Sequence, residues 1–324
     1  MQKTILRYAG GKSKAIKKIT PFVEEYDEIV SPFIGGGSLE VYWASQGHRV
    51  IASDIFDILV NFWNVVLDSP EQLADQLAKI TPNKEVYALI KEELVQTPQV
   101  QQMLTAWKTD FYKRTPVSLP PTKLAAYYYF NHNCSYGPGF LGWASKIYMN
   151  QERWNRTIAK VRKFQCPTLE VSCQPFEATI QQNKDKFLYL DPPYHLKETR
   201  DNKMFKGIYP MRNIPVHHAG FDHEKLRDLL LAHQGDFVLS YNNCDVIREW
   251  YKDFEFVFPE WHYSMGVGEG RIGKNRQKRA KDLPEEVLIT EGDTVEVIRE
   301  KEKETMKLLK KKDSHEILIV KKTK

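Results

Sequence analysis

Residues able to do chemistry are concentrated in the stretch FLYLDPPYHLK, which spans residues 187–197. Its two prolines have fixed φ angles and donate no backbone hydrogen bond, so the neighbouring carbonyl groups are held in place as acceptors. Ionised Asp191 is a further acceptor, and with the Pro192 carbonyl it could bind both hydrogens of one –NH₂ group. Tyr194 could stack on a planar ring. The pattern predicts a site for an aromatic amine, and an ordinary strand-ending turn is the competing interpretation.

An exocyclic amine on an aromatic ring is a poor nucleophile because its lone pair is delocalised into the ring. Two acceptors aimed at its hydrogens favour a pyramidal nitrogen and make the lone pair available, which is positioning combined with electrostatic preorganisation. The amine then needs an electrophile delivered from a neighbouring site. A methyl sulfonium group attached to adenosine fits this requirement.

A second group of residues predicts where that adenosine would bind. The stretch SPFIGGGSLE (31–40) follows a predicted strand and opens a helix, and its glycines allow the backbone to approach a ligand closely. Asp54 ends the next predicted strand, where an acid suits the hydroxyl groups of a ribose. The stretch LRYAGGKSK (6–14) ends like half a P-loop, but Leu6 stands where that motif requires glycine, which argues against an ATP phosphate site.

These motifs need a sheet to position them, and the chain predicts one. Strand-like runs alternate with amphipathic helices at 12–25, 37–47 and 222–235. This alternation predicts an α/β fold with a doubly wound, mostly parallel, Rossmann-like sheet. The predicted strands cover residues 27–33, 48–54, 186–193, 236–243 and 254–261.

The spacing of the strands predicts an insertion. About 130 residues separate the second predicted strand from the third, where a βα unit normally needs about 30. We therefore expect residues 61–183 to form a separate, mostly helical domain, and residues 1–60 and 184–290 to form a discontinuous catalytic domain. Residues 291–324 resemble a charged helix followed by a final strand, EILIVKK, that completes the catalytic domain.

Composition limits the class of protein. No apolar run in the 324 residues approaches the roughly 18 needed to cross a membrane, and the N-terminus lacks a signal-peptide core. We therefore expect a cytoplasmic protein with no membrane partner, acting at the nucleoid or, for a viral source, inside the host cell. The four cysteines form no C-x-x-C pair, and the histidines of VHHAGFDH (216–223) lack a fuller ligand set, so we expect no metal.

Five elements resemble, in the same order, the motifs of the Dam-like, D12-class DNA adenine-N6 methyltransferases, over roughly residues 5–290. They are YAGGK (8–12), SPFIGGGS (31–38), SD (53–54), DPPY (191–194) and LSYNN (239–243). The resemblance implies an S-adenosylmethionine-dependent enzyme that methylates N6 of adenine in duplex DNA, with the helical insertion as target-recognition domain. GATC is the leading candidate site. A cognate restriction endonuclease would be a partner if the enzyme is not solitary, and the oligomeric state is not indicated.

The resemblance also implies roles for individual residues. Asp191 serves both the cofactor region and the target amine, with Pro192 and Tyr194 as the other catalytic residues. Ser240 and Asn242 shape the adenine pocket. The implied cofactor-binding residues are Tyr8, Lys12, Phe33, Gly35, Gly37, Asp54 and Asp191.

Flipping a base out of a duplex costs a few kcal/mol, which contacts elsewhere must offset. RIGKNRQKRAK (271–281) holds six Lys or Arg and no acid, and is either a phosphate clamp or a solvated basic loop. NHNCSYGPGFLGW (131–143) suits a loop that reads or wedges the target, although Phe140 and Trp143 are nearly as well explained by packing on the catalytic core. The candidate DNA-binding residues are Asn131, Asn133, Tyr136, Arg271, Lys274, Arg276, Lys278 and Arg279.

Other functions compete with this interpretation. A cytosine-C5 methyltransferase is disfavoured because no Pro-Cys dipeptide occurs. A cytosine-N4 methyltransferase usually has serine in place of Asp191, and a protein-glutamine enzyme usually reads N-P-P-Y. An RNA adenine-N6 methyltransferase and a non-catalytic DNA-binding relative remain open alternatives.

Overall fold

The fold is organised around one sheet of seven strands, in the order β3-β2-β1-β4-β5-β7-β6. The computed structural model describes residues 2–8, 10–105, 118–136, 139–195, 221–259, 294, 296–301 and 316–322. The strands are β1 (Glu28–Ser31), β2 (Arg49–Asp54), β3 (Leu169–Cys173), β4 (Leu188–Leu190), β5 (Phe237–Asn242), β6 (Glu255–Val257) and β7 (Glu316–Lys321). The first five are parallel to one another, and β7 runs antiparallel between β5 and β6.

Helices cover both faces of this sheet. They are α1 (Ile16–Ile19), α2 (Glu40–Ser45), α3 (Asp57–Asp68), α4 (Pro70–Ala78), α5 (Lys84–Val95), α6 (Pro98–Thr105), α7 (Pro121–Cys134), α8 (Gln151–Arg162), α9 (Phe176–Gln182), α10 (His223–Ala232) and α11 (Asp245–Trp250). A 3₁₀ turn, Thr20–Phe22, follows α1 because Pro21 cannot continue the α-helical hydrogen bonding. No helix among the described residues is long and apolar enough to cross a membrane.

The order in which strands are added to the sheet reverses between β1 and β4, and this reversal determines where a ligand can bind. β1 pairs with β2 on one side and with β4 on the other, through Val30 and Leu188. In an open parallel sheet, the crevice outside the carboxyl ends of two such strands is the usual ligand site. The segments that leave β1 and β4 therefore lie side by side.

The strands confirm the predicted mixed α/β fold, with boundaries shortened by a few residues. All six residues of β5 are buried, as an apolar strand covered on both faces requires. The C-terminal strand is confirmed as β7, where Ile319 pairs with Leu239 of β5 and Phe256 of β6. Of the expected charged helix, residues 296–301 are helical, and the rest lies outside the described residues.

One strand was not predicted. β3 pairs with β2 at the edge of the sheet, so residues 169–173 belong to the sheet and not to a helical insertion. Only Leu169 of this strand is buried, and such an edge strand lacks the apolar pattern on which the prediction relied. The expectation that about 130 residues without a strand follow β2 was therefore wrong, because β3 lies within that stretch. Moreover, buried residues of α3, α4, α5, α7 and α8 share one hydrophobic cluster with β1 and β2.

Candidate active site

The carboxyl end of β4 carries Asp191, and the chain continues as Pro192, Pro193 and Tyr194. Asp191 is partly exposed, whereas Pro192 and Tyr194 are buried. The prolines prevent the strand from continuing because they have no N–H to donate to the ladder. The acidic residue is thereby fixed at the edge of the sheet, next to the loop that follows β1.

Lys12 binds Asp191 directly. Its Nζ donates to Asp191 Oδ1 at 2.7 Å, to Oδ2 at 2.8 Å and to the Tyr194 hydroxyl oxygen at 2.9 Å. The ammonium also lies 5.2 Å from the centre of the Tyr194 ring, a cation–π distance. Lys12 was expected to bind the cofactor, and the structure brings it to Asp191, which was expected to serve both the cofactor and the target amine, and to Tyr194.

A second carboxylate lies near the same ammonium. Glu316 Oε2 is 3.8 Å from Lys12 Nζ, and both side chains are almost completely buried. Glu316 is the first residue of β7 and pairs in register with Asn242 of β5. No sequence motif included Glu316, and only the pairing of β7 with β5 reveals its position.

These contacts determine the ionisation of the pair. Burial lowers the pKa of Lys12, but the negative charges of Asp191 and Glu316 together raise it by more than burial lowers it. The net pKa of Lys12 therefore lies above its ordinary value. Burial raises the pKa of Asp191, and the Lys12 ammonium opposes that effect. We therefore treat the pair as ammonium and carboxylate at neutral pH, with both Asp191 oxygens bound to a cation.

Glu40 lies behind this pair, at the start of α2. Its side chain is 3% exposed and accepts a hydrogen bond from Ser31 Oγ at 2.8 Å. Burial, with a contribution from the charge of Asp191, raises the pKa of Glu40 to about 7. Sequence reasoning did not single out Glu40, although it ends the quoted glycine-rich stretch.

The glycine-rich loop after β1 needs its glycines. Gly35 and Gly37 have φ angles of +44° and +59°, which favour residues without a side chain. A Cβ on Gly36 would lie 2.4 Å from Tyr8 Cβ, and one on Gly37 would lie 2.6 Å from the Trp63 ring. The loop is therefore packed between Tyr8 and Trp63, so Tyr8, an expected cofactor-binding residue, lies against the glycines.

Asp54 fixes the other side of that loop. Its carboxylate accepts from Gly35 N at 3.2 Å and from Phe56 N at 3.0 Å. Phe33 packs against the rings of Phe176 and Phe221, with ring centres 5.6 and 5.8 Å apart.

These residues fit the chemistry of S-adenosylmethionine. Asp54 offers an anionic acceptor for a ribose, the glycines allow close backbone approach, and Phe33 and Tyr8 offer aromatic surface. Within the described part of the chain, no group of three or more His, Cys, Asp or Glu is arranged to hold a metal ion.

The expected adenine-pocket residues lie on β5, beside β4. Asn242 donates from Nδ2 to the His195 carbonyl at 2.9 Å, which ties the end of β5 to the residue after Tyr194. The Tyr194 and Tyr241 rings lie 6.2 Å apart. Ser240 is completely buried within the strand, two residues before Asn242 on the same face.

The structure corrects the expectation for Asn131 and Asn133, which are buried in α7. Asn131 Oδ1 accepts from Leu141 N at 2.7 Å, and Asn133 Oδ1 accepts from Arg7 N at 3.3 Å. Their side chains hold the protein's own backbone and are not presented to DNA. The physical reason is that α7 continues to Cys134 and packs inside the core.

Tyr136 and Trp143 have the opposite environment. The Tyr136 side chain is 60% exposed and Trp143 is 82% exposed, so packing of Trp143 on the core is excluded. Phe140 does pack on the core, with its ring centre 5.5 Å from the ring centres of Phe56 and Tyr128. The expected basic clamp, with Arg271, Lys274, Arg276, Lys278 and Arg279, lies outside the described residues.

Comparison with known proteins matches this arrangement to a family. The family model for D12 class N6 adenine-specific DNA methyltransferases matches residues 8–265. The chain belongs to this family. It is 26% identical over 212 residues to a DNA adenine methylase found in two Vibrio cholerae serotype O1 strains, which covers 62% of this chain and 68% of that protein. It is 23% identical over 290 residues to the Type II methyltransferase M.FokI of Planomicrobium okeanokoites, covering 85% of this chain and 42% of that protein.

Membership in an adenine-specific DNA methyltransferase family agrees with the geometry. The seven-stranded sheet, with one reversed strand, is a Rossmann-like methyltransferase sheet. The matched residues include Tyr8, Lys12, the glycine loop and Asp191. The match ends before β7 and therefore does not extend to Glu316.

Glu40 makes the stability of this methyltransferase depend on pH. Because its pKa is raised from 4.5 to about 7, its stabilising protonation is complete below about pH 4.5 and is lost as the pH rises through about 7. Glu40→Gln keeps a neutral side chain at every pH. We predict that, between about pH 5 and about pH 8, its free energy of unfolding rises relative to the unsubstituted protein by up to about 3 kcal/mol.

Urea unfolding of both proteins at the two pH values measures this difference. Glu152→Gln, which removes an exposed carboxylate on α8, is the matched control and should give nearly the same difference at both pH values. If Glu40→Gln behaves like Glu152→Gln, Glu40 does not take up a proton on folding.

Proposed function

We propose that this protein transfers a methyl group from S-adenosylmethionine to N6 of an adenine flipped out of duplex DNA. The observation that carries the proposal is the position of Asp191. It lies at the carboxyl end of β4, beside the glycine loop that follows β1, with Lys12 bound to both of its oxygens. Asp191, an acceptor for an amine, thus lies next to the carboxyl edge of the sheet, where an adenosine-containing cofactor would bind.

Tyr8, the glycine loop and Asp54 would hold the cofactor. The Asp54 carboxylate would accept from ribose hydroxyls while still accepting from Gly35 N and Phe56 N. When bound, S-adenosylmethionine supplies an electrophilic methyl group on a sulfonium. The protein's task is then to present a nitrogen lone pair to that methyl group.

Asp191 would do this by accepting one hydrogen of the target amine while the Pro192 carbonyl accepts the other. The buried Tyr194 ring would lie against the base. As the N–C bond forms and the S–C bond breaks, the amine must release one proton. Burial raises the pKa of Asp191, which makes its carboxylate a better acceptor for that proton than an exposed aspartate.

Lys12 controls when Asp191 is available. Because its ammonium donates to both carboxylate oxygens, we propose that Lys12 competes with the target amine for them and is displaced when the amine binds. Until then, the ion pair stabilises a carboxylate that is only 22% exposed. We infer that entry of the base and movement of Lys12 occur together.

The segment from Tyr136 to Trp143 is the proposed DNA-contacting hairpin. Tyr136 N donates to the Trp143 carbonyl at 2.6 Å, and Ser145 N donates to the Cys134 carbonyl at 2.9 Å, so the hairpin is anchored to the end of α7. Two exposed aromatic rings on an anchored hairpin suit stacking on bases or filling the gap left by a flipped base. The basic stretch 271–281 remains a proposed phosphate clamp.

The target sequence and biological setting are also proposals. The enzyme is either solitary or the partner of a cognate restriction endonuclease, and the relative named Type II methyltransferase supports the second setting. We propose a short site with GATC as the leading candidate. Sequencing of methylated DNA would identify it.

Asp191→Asn tests the proposed reaction. It preserves shape but removes the carboxylate, so we predict that methyl transfer falls by at least about 10³-fold while the protein stays folded. The assay uses labelled S-adenosylmethionine and amplified duplex DNA that carries no modified bases, followed by mass analysis of the nucleosides. N6-methyladenine is the expected product.

Asp185→Asn, which neutralises an exposed aspartate just before β4, is the matched control and should retain activity. N4-methylcytosine as product, or transfer to RNA but not to DNA, would overturn the proposed substrate. Cofactor binding without transfer to any nucleic acid would favour the non-catalytic alternative.

Replacing the exposed hairpin rings tests DNA contact. We predict that Trp143→Ala and Tyr136→Ala each weaken duplex binding by about tenfold, since loss of one stacked ring removes about 1–3 kcal/mol. Their melting temperatures should stay within about 2 °C of the unsubstituted protein because both rings are exposed. Fluorescence anisotropy with labelled duplex measures binding. Leu231→Ala on α10, which replaces another exposed apolar side chain (51% exposed), is the control. Equal affinity for all proteins would exclude the hairpin from the interface.

A further inference from the structure

Glu316 joins the site from the strand that completes the sheet. Its side chain is 2% exposed, and its Oε2 lies 3.8 Å from Lys12 Nζ. It follows the end of the family match by 51 positions, from 265 to 316. The pairing of β7 with β5 brings it opposite Asn242, at the same edge of the sheet as Asp191.

Lys12 therefore lies between two carboxylates. It is at hydrogen-bonding distance from Asp191 and about 1 Å beyond that distance from Glu316. Its side chain is 5% exposed, so an ammonium that leaves Asp191 remains in a buried environment. A buried cation without a counter-charge is strongly unfavourable, and Glu316 is the nearby anion that prevents this state.

We propose that Glu316 is a positioning residue that receives the Lys12 ammonium when the target amine takes its place on Asp191. This proposal rests on the proposed function and names a residue that assists it from outside the family motifs. Glu316 acts through Lys12 and need not touch the base. Lys12 then exchanges one carboxylate for another over a short distance, and Asp191 becomes available without leaving a buried charge unpaired.

The charge of Glu316 should matter to catalysis only when Lys12 is present. We predict that Glu316→Gln lowers kcat/KM for DNA methylation by about tenfold, because Lys12 then stays on Asp191 and competes with the amine. In a Lys12→Met background, the same substitution should cause less than a twofold further change. Glu316→Asp keeps the charge and should recover part of the loss, and the cofactor affinity of the Glu316 single variants should stay within about twofold of that of the unsubstituted protein.

Thermal unfolding provides a readout that does not depend on methyl transfer. Lys12→Met removes the ammonium that lies 2.7 Å from Asp191 and 3.8 Å from Glu316, so neutralising Glu316 then no longer costs an ion pair with Lys12. The change in melting temperature caused by Glu316→Gln should therefore be more positive in the Lys12→Met background than in the unsubstituted protein, by at least about 2 °C. Glu255→Gln on β6, an exposed carboxylate, should show no such difference.

Equal melting shifts in the two backgrounds, or equal losses of kcat/KM, would overturn the proposal, because Glu316 would then act independently of Lys12. Full activity of Glu316→Gln would also overturn it. If Glu316→Gln does not fold, Glu316→Asp replaces it, and an unchanged kcat/KM would count against the proposal. Failure of the unsubstituted protein to methylate DNA would instead reject the proposed function, and the thermal cycle would still decide whether Glu316 acts on Lys12.

Discussion

The ion pair between Lys12 and Asp191 is the contact on which the site depends. A carboxylate at the end of a buried strand is unfavourable unless a cation or hydrogen-bond donors compensate it. Lys12 supplies that compensation from the N-terminal segment with bonds of 2.7 and 2.8 Å, and it also binds the Tyr194 hydroxyl oxygen. One interaction thus joins the N-terminal segment to the end of β4 and keeps the acceptor oriented for an incoming amine.

The sheet topology provides the second constraint. Because β1 lies between β2 and β4, the glycine loop, Asp54 and Asp191 all leave the sheet at one edge. β7 then runs antiparallel and begins where β5 ends, which brings Glu316 to that edge although it is distant in sequence. The site is therefore assembled by parallel strands that point toward it and one reversed strand that starts beside it.

Sequence reasoning predicted the parts of the site that depend on local pattern. DPPY after an apolar run, glycines after β1 and an acid after β2 are all visible within short windows. The contact between Lys12 and Asp191 was not predicted because it joins positions 179 residues apart, which no window contains. Glu316, β3 and the burial of Asn131 were missed for the same reason, since each depends on which strands or helices pack together.

The central claim is that the target amine replaces Lys12 on Asp191. The most direct measurement is a crystal structure of the protein with a cofactor analogue and duplex DNA containing the mapped target adenine. We predict that the adenine N6 atom lies within about 3.2 Å of an Asp191 oxygen, and that Lys12 Nζ has moved away from its present 2.7 Å distance to Oδ1. A bound, flipped adenine with the Lys12–Asp191 pair intact would contradict it.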